Sequence, residues 1–113
     1  MGYDLWQDIQ ADQRLLARSV AELKERGIAK AKADAAYRAL KAKAILESRA
    51  EGTPATLAKD VIYTREDLQK ALLERDCTEV LYETCMEGIN ATKLQIRVNE
   101  AQLGREWSQE GRL

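Results

Sequence analysis

The side chains with the clearest binding chemistry are five cations in an alanine-rich stretch. They are Lys30, Lys32, Arg38, Lys41 and Lys43. Such cations neutralise phosphates, and Tyr37 among them could stack on a nucleic-acid base. Alternating Ala and Lys spreads the lysines around a helix rather than along one ridge, so the tract also fits charge pairing within the chain and solvation. We favour that interpretation, with nucleic-acid contact by these five side chains as the alternative.

Acidic side chains follow a helical spacing later in the chain. Glu79, Glu83 and Glu87 are four residues apart, a spacing that can form a metal-binding face in helical bundles when histidines join it. The chain has no His, which removes both that ligand and the commonest general base. There is no glycine-rich phosphate loop, no G-x-S-x-G motif and no Cys beside a base. The sequence therefore predicts a non-enzymatic protein with no catalytic residues, no metal site and no cofactor.

Two cysteines, Cys77 and Cys85, lie on the same predicted helix. Their spacing places them roughly 12 Å apart at the usual helical rise, beyond disulfide reach. We expect two small buried groups in a reducing cytosol, with a contact across a dimer axis as the alternative. No apolar run approaches the roughly 20 residues that span a membrane, and the acidic, mixed N-terminus is unlike a signal peptide. These features predict a cytoplasmic protein with no membrane contact.

The elements that position these residues are indicated by a division of charge around Glu51–Pro54. Lys24–Arg49 carries eight basic and three acidic residues, a net of +5, whereas Asp60–Glu87 carries three basic and eight acidic residues, a net of −5. Gly and Pro together occupy only seven of 113 positions, which favours long helices. A basic helix folded back along an acidic one would balance the charge of the chain.

The element boundaries follow from local signals within one all-helical domain, residues 1–113. We predict a helical arm over 4–50, a connector over 51–64 and a long helix over 65–109. Gly52 is a helix stop, Thr53 an N-cap before Pro54, and Thr64 with Asp67 resembles a capping box. Gly27 either bends or breaks the arm.

The long helix has two apolar faces. One contains Leu81, Cys85, Ile89, Ile96, Leu103 and Trp107. The other contains Leu73, Val80, Ala91, Leu94, Val98 and Ala101. The first face should pack on the first half of the chain, with Trp6 near Trp107, and the second on another copy. The sequence thus predicts an all-α, elongated antiparallel helical hairpin with a short connecting helix, oligomerising as a dimer or tetramer into a helical bundle.

Three segments carry a resemblance to a known group of proteins. They are residues 36–43 (AYRALKAK), 49–56 (RAEGTPAT) and 74–93, which begins ERDC and ends EGINATK. The pattern resembles small all-helical proteins encoded in the early regions of tailed phages and prophages of Gram-positive bacteria, often beside replication or recombination genes. The resemblance extends over residues 10–107. It implies a phage setting, a bacterial host cytoplasm and an interaction role, without site residues to carry over.

These observations lead to two expected functions. The first is a phage or prophage protein-interaction factor that binds a host or phage DNA-processing or defence protein. The alternative is a nucleic-acid-binding accessory protein of phage replication or recombination, which would use the basic helix 24–49.

Overall fold

The fold consists of two long helices joined by a short helical connector. The computed structural model describes residues 2–110, and in that range every regular element is helical. Helix α1 is Gly2–Ala50, α2 is Ala55–Val61, a 3-10 turn covers Ile62–Thr64, and α3 is Glu66–Glu110. The predicted all-α class and the short connecting helix between two long ones are confirmed.

Gly27 lies inside α1, so it does not break the arm. A glycine in a helix interior costs about 1 kcal/mol relative to alanine. Its neighbours restore helix-forming tendency, since the tract that follows is rich in Ala, Lys and Arg. The small residue also lets a ring approach the helix, because a Cβ at Gly27 would lie 3.4 Å from Tyr82 Cε2.

Gly52 ends α1 as predicted, with a left-handed φ of +94°. The Thr53 N–H donates to the Ser48 carbonyl at 3.1 Å, and the Gly52 N–H donates to the Arg49 carbonyl at 3.0 Å. This pair of bonds is a Schellman motif, which satisfies carbonyls at the end of the helix. The motif requires a positive φ that only glycine adopts without strain.

Two predicted caps in the connector are wrong. The N-cap of α2 is Pro54, not Thr53, and no side chain caps it. The Thr64 hydroxyl donates backward to the Val61 carbonyl at 2.7 Å, so it does not form a capping box with Asp67. The Asp67 carboxylate instead accepts the Leu68 N–H at 2.8 Å. Because Thr64 ends a 3-10 turn whose N-cap is Val61, its hydroxyl lies beside the Val61 carbonyl and donates to it.

The described chain contains two compact units. Unit 2 comprises residues 25–82, that is, the second part of α1, the connector and the start of α3. Ile62 and Leu68 are its largest fully buried side chains, and they cluster with Tyr37 and Ala44. Full burial of an aliphatic side chain of this size contributes about 1.5–3 kcal/mol. The connector is therefore held by the core of its own unit.

Unit 1 comprises residues 2–24 and 83–110 of the described chain. Ile9 of α1 and three residues of α3 form its buried apolar part. These three are Ile89, Ile96 and Leu103. The rings of Trp6 and Trp107 lie 6.5 Å apart between centroids, which confirms that the two tryptophans meet.

Burial along α3 follows a seven-residue repeat. The shielded series is Leu68, Arg75, Tyr82, Ile89, Ile96 and Leu103, with Ala71, Thr78, Cys85, Thr92, Asn99 and Glu106 between them. A repeat of seven is typical of coiled-coil packing. The first predicted face is thus buried at Ile89, Ile96 and Leu103, but Leu81 and Trp107 are about half exposed, at 46% and 51%. Leu81 is wrongly assigned, because it lies beside this repeat and not within it.

Candidate protein-interaction surface

A second apolar stripe on α3 is exposed to solvent. All six residues predicted for the oligomer interface are exposed: Leu73, Val80, Ala91, Leu94, Val98 and Ala101. The two with the largest side chains, Leu73 and Leu94, are 64% and 60% exposed. Large aliphatic side chains normally lose solvent contact on folding. The described chain does not cover this stripe with its own residues.

The spacing of this stripe is that of a second coiled-coil seam. Its positions alternate steps of four and three residues from Leu73 to Ala101. They are Leu73, Cys77, Val80, Thr84, Glu87, Ala91, Leu94, Val98 and Ala101. We call these nine positions the outer seam. Such steps return to one side of a helix every seven residues, which is the pattern that another helix can pack against.

Within unit 2 the outer seam borders a shallow apolar groove. The groove is lined by Asp76, Cys77, Val80 and Leu81, and its solvent-accessible lining is apolar. Cys77 is therefore exposed, and the expectation that it is buried within the chain is wrong. Its position one turn from Leu73 and Val80 places the thiol on the outer seam.

The charge beside the outer seam changes sign along α3. Residues 73–87 carry five acidic residues and one basic residue, a net of −4, and all three of Glu79, Glu83 and Glu87 are exposed. Residues 88–105 carry three basic residues and one acidic residue, a net of +2. Lys93 and Arg97 supply exposed cations in this part of the helix. The outer seam therefore has an acidic end and a basic end.

The five cations predicted to contact nucleic acid are not brought together. Lys30 lies over the Tyr82 ring at 5.0 Å and Lys41 over the Tyr63 ring at 5.7 Å, both half-buried. Arg38 pairs with Asp34 at 3.0 Å, and Lys43 approaches Glu47 at 3.9 Å. Lys32 is fully on the solvent side. Four of the five thus have partners inside unit 2.

Two kinds of contact involving charged side chains link α1 to the connector and to α3 in unit 2. One is an ion pair in which Arg65, the residue before α3, donates to Glu47 of α1 at 2.6 Å. Cation–ring contacts provide further links, since Arg75 of α3 lies 4.4 Å from the centre of the Tyr37 ring. Tyr37 was named from the sequence as a residue that could stack on a base, but it was not predicted that cations of the same chain lie over the tyrosine rings.

Two tyrosine hydroxyls in unit 2 form a linked pair. The Tyr37 and Tyr63 oxygens are 3.3 Å apart. This hydrogen bond, together with contact with Lys41, lowers the pKa of Tyr63, whereas the same bond and burial raise the pKa of Tyr37. Tyr37 was not placed in the core from the sequence, although its seven-residue spacing from Ala44, which is also buried, is a signal that could have done so. The pair positions α1 against the connector.

The described residues contain no arrangement that binds a metal. Among residues 2–110, no three His, Cys, Asp or Glu side chains are grouped closely enough to hold an ion. A cleft in unit 2 between Gly27 and Tyr82 is open, and its cations Lys30 and Arg75 are accompanied by the acids Asp34 and Glu79. Both cysteines are free, and Cys85 Sγ lies 3.6 Å from the Ser19 carbonyl oxygen in unit 1.

Comparison with known proteins found no relative. No protein-family model, no curated protein and no solved structure matches this chain. Over the part of the chain that the structure describes, neither long helix has a segment apolar enough to cross a bilayer. The outer seam is the surface whose residues and spacing carry a functional hypothesis.

Proposed function

We propose that this protein acts by binding other polypeptide chains through the outer seam of α3, without catalysing a reaction. The observation that carries the proposal is the exposure of Leu73, Val80, Leu94 and Val98 at coiled-coil spacing. One apolar face of α3 is enough to pack it within its own chain, but α3 has two apolar faces. That second face is the feature that the intrachain fold does not use.

The energetic argument rests on the apolar area left in water. Removing apolar surface from water is favourable by about 25 cal/mol per Å². Apolar side chains at i, i+3, i+4 and i+7 are the contacts by which one helix recognises another or a groove. Leu94 and Val98 are one turn apart, so a partner helix contacts both at once.

The class of protein that the outer seam binds is suggested by the resemblance to early-region phage proteins. It favours a DNA-processing or defence protein of the phage or its host as the protein acted upon. The alternative of nucleic-acid binding is less well supported, because Lys30, Lys41, Arg38 and Lys43 already have partners. Phosphate binding would compete with those contacts.

Site-specific photo-cross-linking in cells tests the proposal. A photoreactive phenylalanine analogue placed at Leu94 should form a covalent adduct with another chain, because this side chain is exposed on the outer seam. The same analogue at Leu46, which is 70% exposed on α1, is the matched control. Mass spectrometry identifies each adduct.

The proposal predicts adducts at Leu94 that disappear when Val98 is changed to Asp, and none at Leu46. Absence of any adduct at Leu94 would overturn it. Equal labelling from both positions would do so as well, because it would show collision rather than a specific surface.

A further inference from the structure

We infer that the outer seam binds the outer seam of a second copy of this chain, antiparallel, with Thr84 of each copy opposite Glu87 of the other. This inference rests on the proposed function and names the partner that the surface fits. It follows from the order of residues along α3, from the charge at its two ends and from the groove beside Cys77.

The order of residues is self-complementary in one antiparallel register. In antiparallel coiled coils, each seam residue packs in a layer with one from the facing helix. One register produces four kinds of layer, each formed twice, and leaves Ala101 outside them. They pair Leu73 with Val98, Cys77 with Leu94, Val80 with Ala91, and Thr84 with Glu87. Every apolar residue in these layers meets an apolar residue.

The polar residues decide between registers. A buried carboxylate without a hydrogen-bond donor is costly. In the proposed register the Thr84 hydroxyl donates to the Glu87 carboxylate of the other copy, near the two-fold axis. Shifting by seven residues in one direction places Glu87 against Ala91 and Thr84 against Leu94, and in the other direction places Glu87 against Cys77. Both shifts leave the carboxylate among apolar groups.

A parallel pair is disfavoured by the same residue. In-register parallel helices would place the two Glu87 carboxylates in one layer. Like charges brought together in a shielded seam repel each other and lose hydration. The antiparallel arrangement separates them and gives each a hydroxyl partner.

The flanking charges favour the same direction. Residues 73–87 have a net charge of −4 and residues 88–105 a net charge of +2, so antiparallel copies place the acidic end of one beside the basic end of the other. At the edge of the seam Asp76 approaches Arg97 of the second copy, once on each side of the axis. Asp76 already accepts from Arg75 at 3.1 Å and keeps carboxylate surface exposed for a second cation.

The groove in unit 2 marks where a side chain of the second copy enters. It lies along Asp76, Cys77, Val80 and Leu81. The proposed layers place the second copy's Leu94 opposite Cys77, at this groove. Leu94 is 60% exposed within its own chain, so it is available to fill the groove.

Disulfide mapping tests the register with the full-length chain. In a Cys85→Ala background, Leu94→Cys adds a thiol opposite the native Cys77 of the second copy. Within one chain these positions are about 25 Å apart at helical rise, so they cannot join. Equilibration in a glutathione buffer should give a covalent dimer whose linked peptides contain positions 77 and 94.

The matched control is Val98→Cys in the same background. Position 98 faces Leu73 in the proposed register, so no link between positions 77 and 98 should form. A link between two copies of Cys77, or a link from 77 to 98 in place of 77 to 94, would overturn the antiparallel register. A monomer by light scattering with no cross-link would overturn self-association altogether. An adduct to a different protein at Leu94 would then leave the proposed function standing.

Discussion

At the scale of single residues, the tyrosines of unit 2 determine what its cations do. Lys30, Lys41 and Arg75 lie over tyrosine rings at 4.4–6.0 Å. Their stems cover apolar surface while the charged groups remain near water. The negative face of each ring attracts the cation above it. These cations stabilise the fold of the unit, and a phosphate ligand would have to displace those contacts.

A pH-dependent prediction concerns Asp67 at the start of α3. Its carboxylate accepts from Arg65 at 2.8 and 3.0 Å and from the Leu68 N–H, and these bonds lower the pKa of Asp67. A carboxyl whose pKa is lower when folded stabilises the fold above the unfolded value of about 3.9. That contribution is lost as the pH falls below this value and through the lower folded pKa.

Asp67→Asn should therefore lower the free energy of unfolding at neutral pH. The difference from the unchanged protein should shrink below about pH 4. Thermal unfolding followed by circular dichroism across this range measures it. Asp60→Asn, a change of an exposed carboxylate on α2, is the control and should not reproduce the effect. A difference that stays constant down to pH 2 would contradict the prediction.

At the scale of elements, local signals determined where helices stop more reliably than where they start. Gly52 was predicted correctly because one residue type meets the need for a positive φ. The predicted capping role of Thr64 was wrong because a hydroxyl can bond to any of several nearby backbone groups. In the 3-10 turn the Val61 carbonyl is within reach, and the hydroxyl donates to it. That turn depends on burial of Ile62 in the core of unit 2, which no local pattern reveals.

A prediction at the same scale concerns the end of α1. Gly52→Ala should destabilise the protein by about 1–2 kcal/mol, because a side chain is strained at a φ of +94°. Gly104→Ala is the matched control: it lies within α3 with nothing within 4 Å of the added Cβ, and should stabilise by up to about 1 kcal/mol. Chemical denaturation measures both, and an equal effect of the two changes would contradict the role of Gly52.

The two apolar faces of α3 could be predicted from the sequence, because the spacing of apolar residues along a helix shows which side each one lies on without knowledge of the tertiary structure. Ile89, Ile96 and Leu103 were assigned to the inner face and are buried. The partial burial of Arg75 and Tyr82 on the inner face was not predicted, because hydrophobic periodicity gives no signal for a charged or hydroxylated side chain. They are tolerated there since Arg75 lies against the Tyr37 ring and Tyr82 against Lys30.

At the scale of the whole molecule, its surface separates two kinds of exposed apolar residue. Leu46 is a single exposed residue, which is normal on proteins. The outer seam is a periodic series, and such a surface typically marks an interaction site. We therefore expect the protein in solution to be an oligomer held mainly by apolar contact.

Leu94→Asp with Val98→Asp should convert that oligomer to a monomer with unchanged helix content. Both side chains are exposed in the single chain, so charge there removes interface burial without entering either core. Light scattering and circular dichroism at low and high salt measure mass and helicity. Leu46→Asp is the control and should leave the mass unchanged. An unmodified protein that is already monomeric, or a control that dissociates equally, would contradict the prediction.

The positions of the aromatic residues have a spectroscopic consequence. Both tryptophans belong to unit 1, where their rings are in contact, whereas Tyr37, Tyr63 and Tyr82 belong to unit 2. Indole emission therefore reports the melting of unit 1 alone. Three of the four tyrosines belong to unit 2, so the tyrosine contribution to near-ultraviolet absorbance reports mainly that unit.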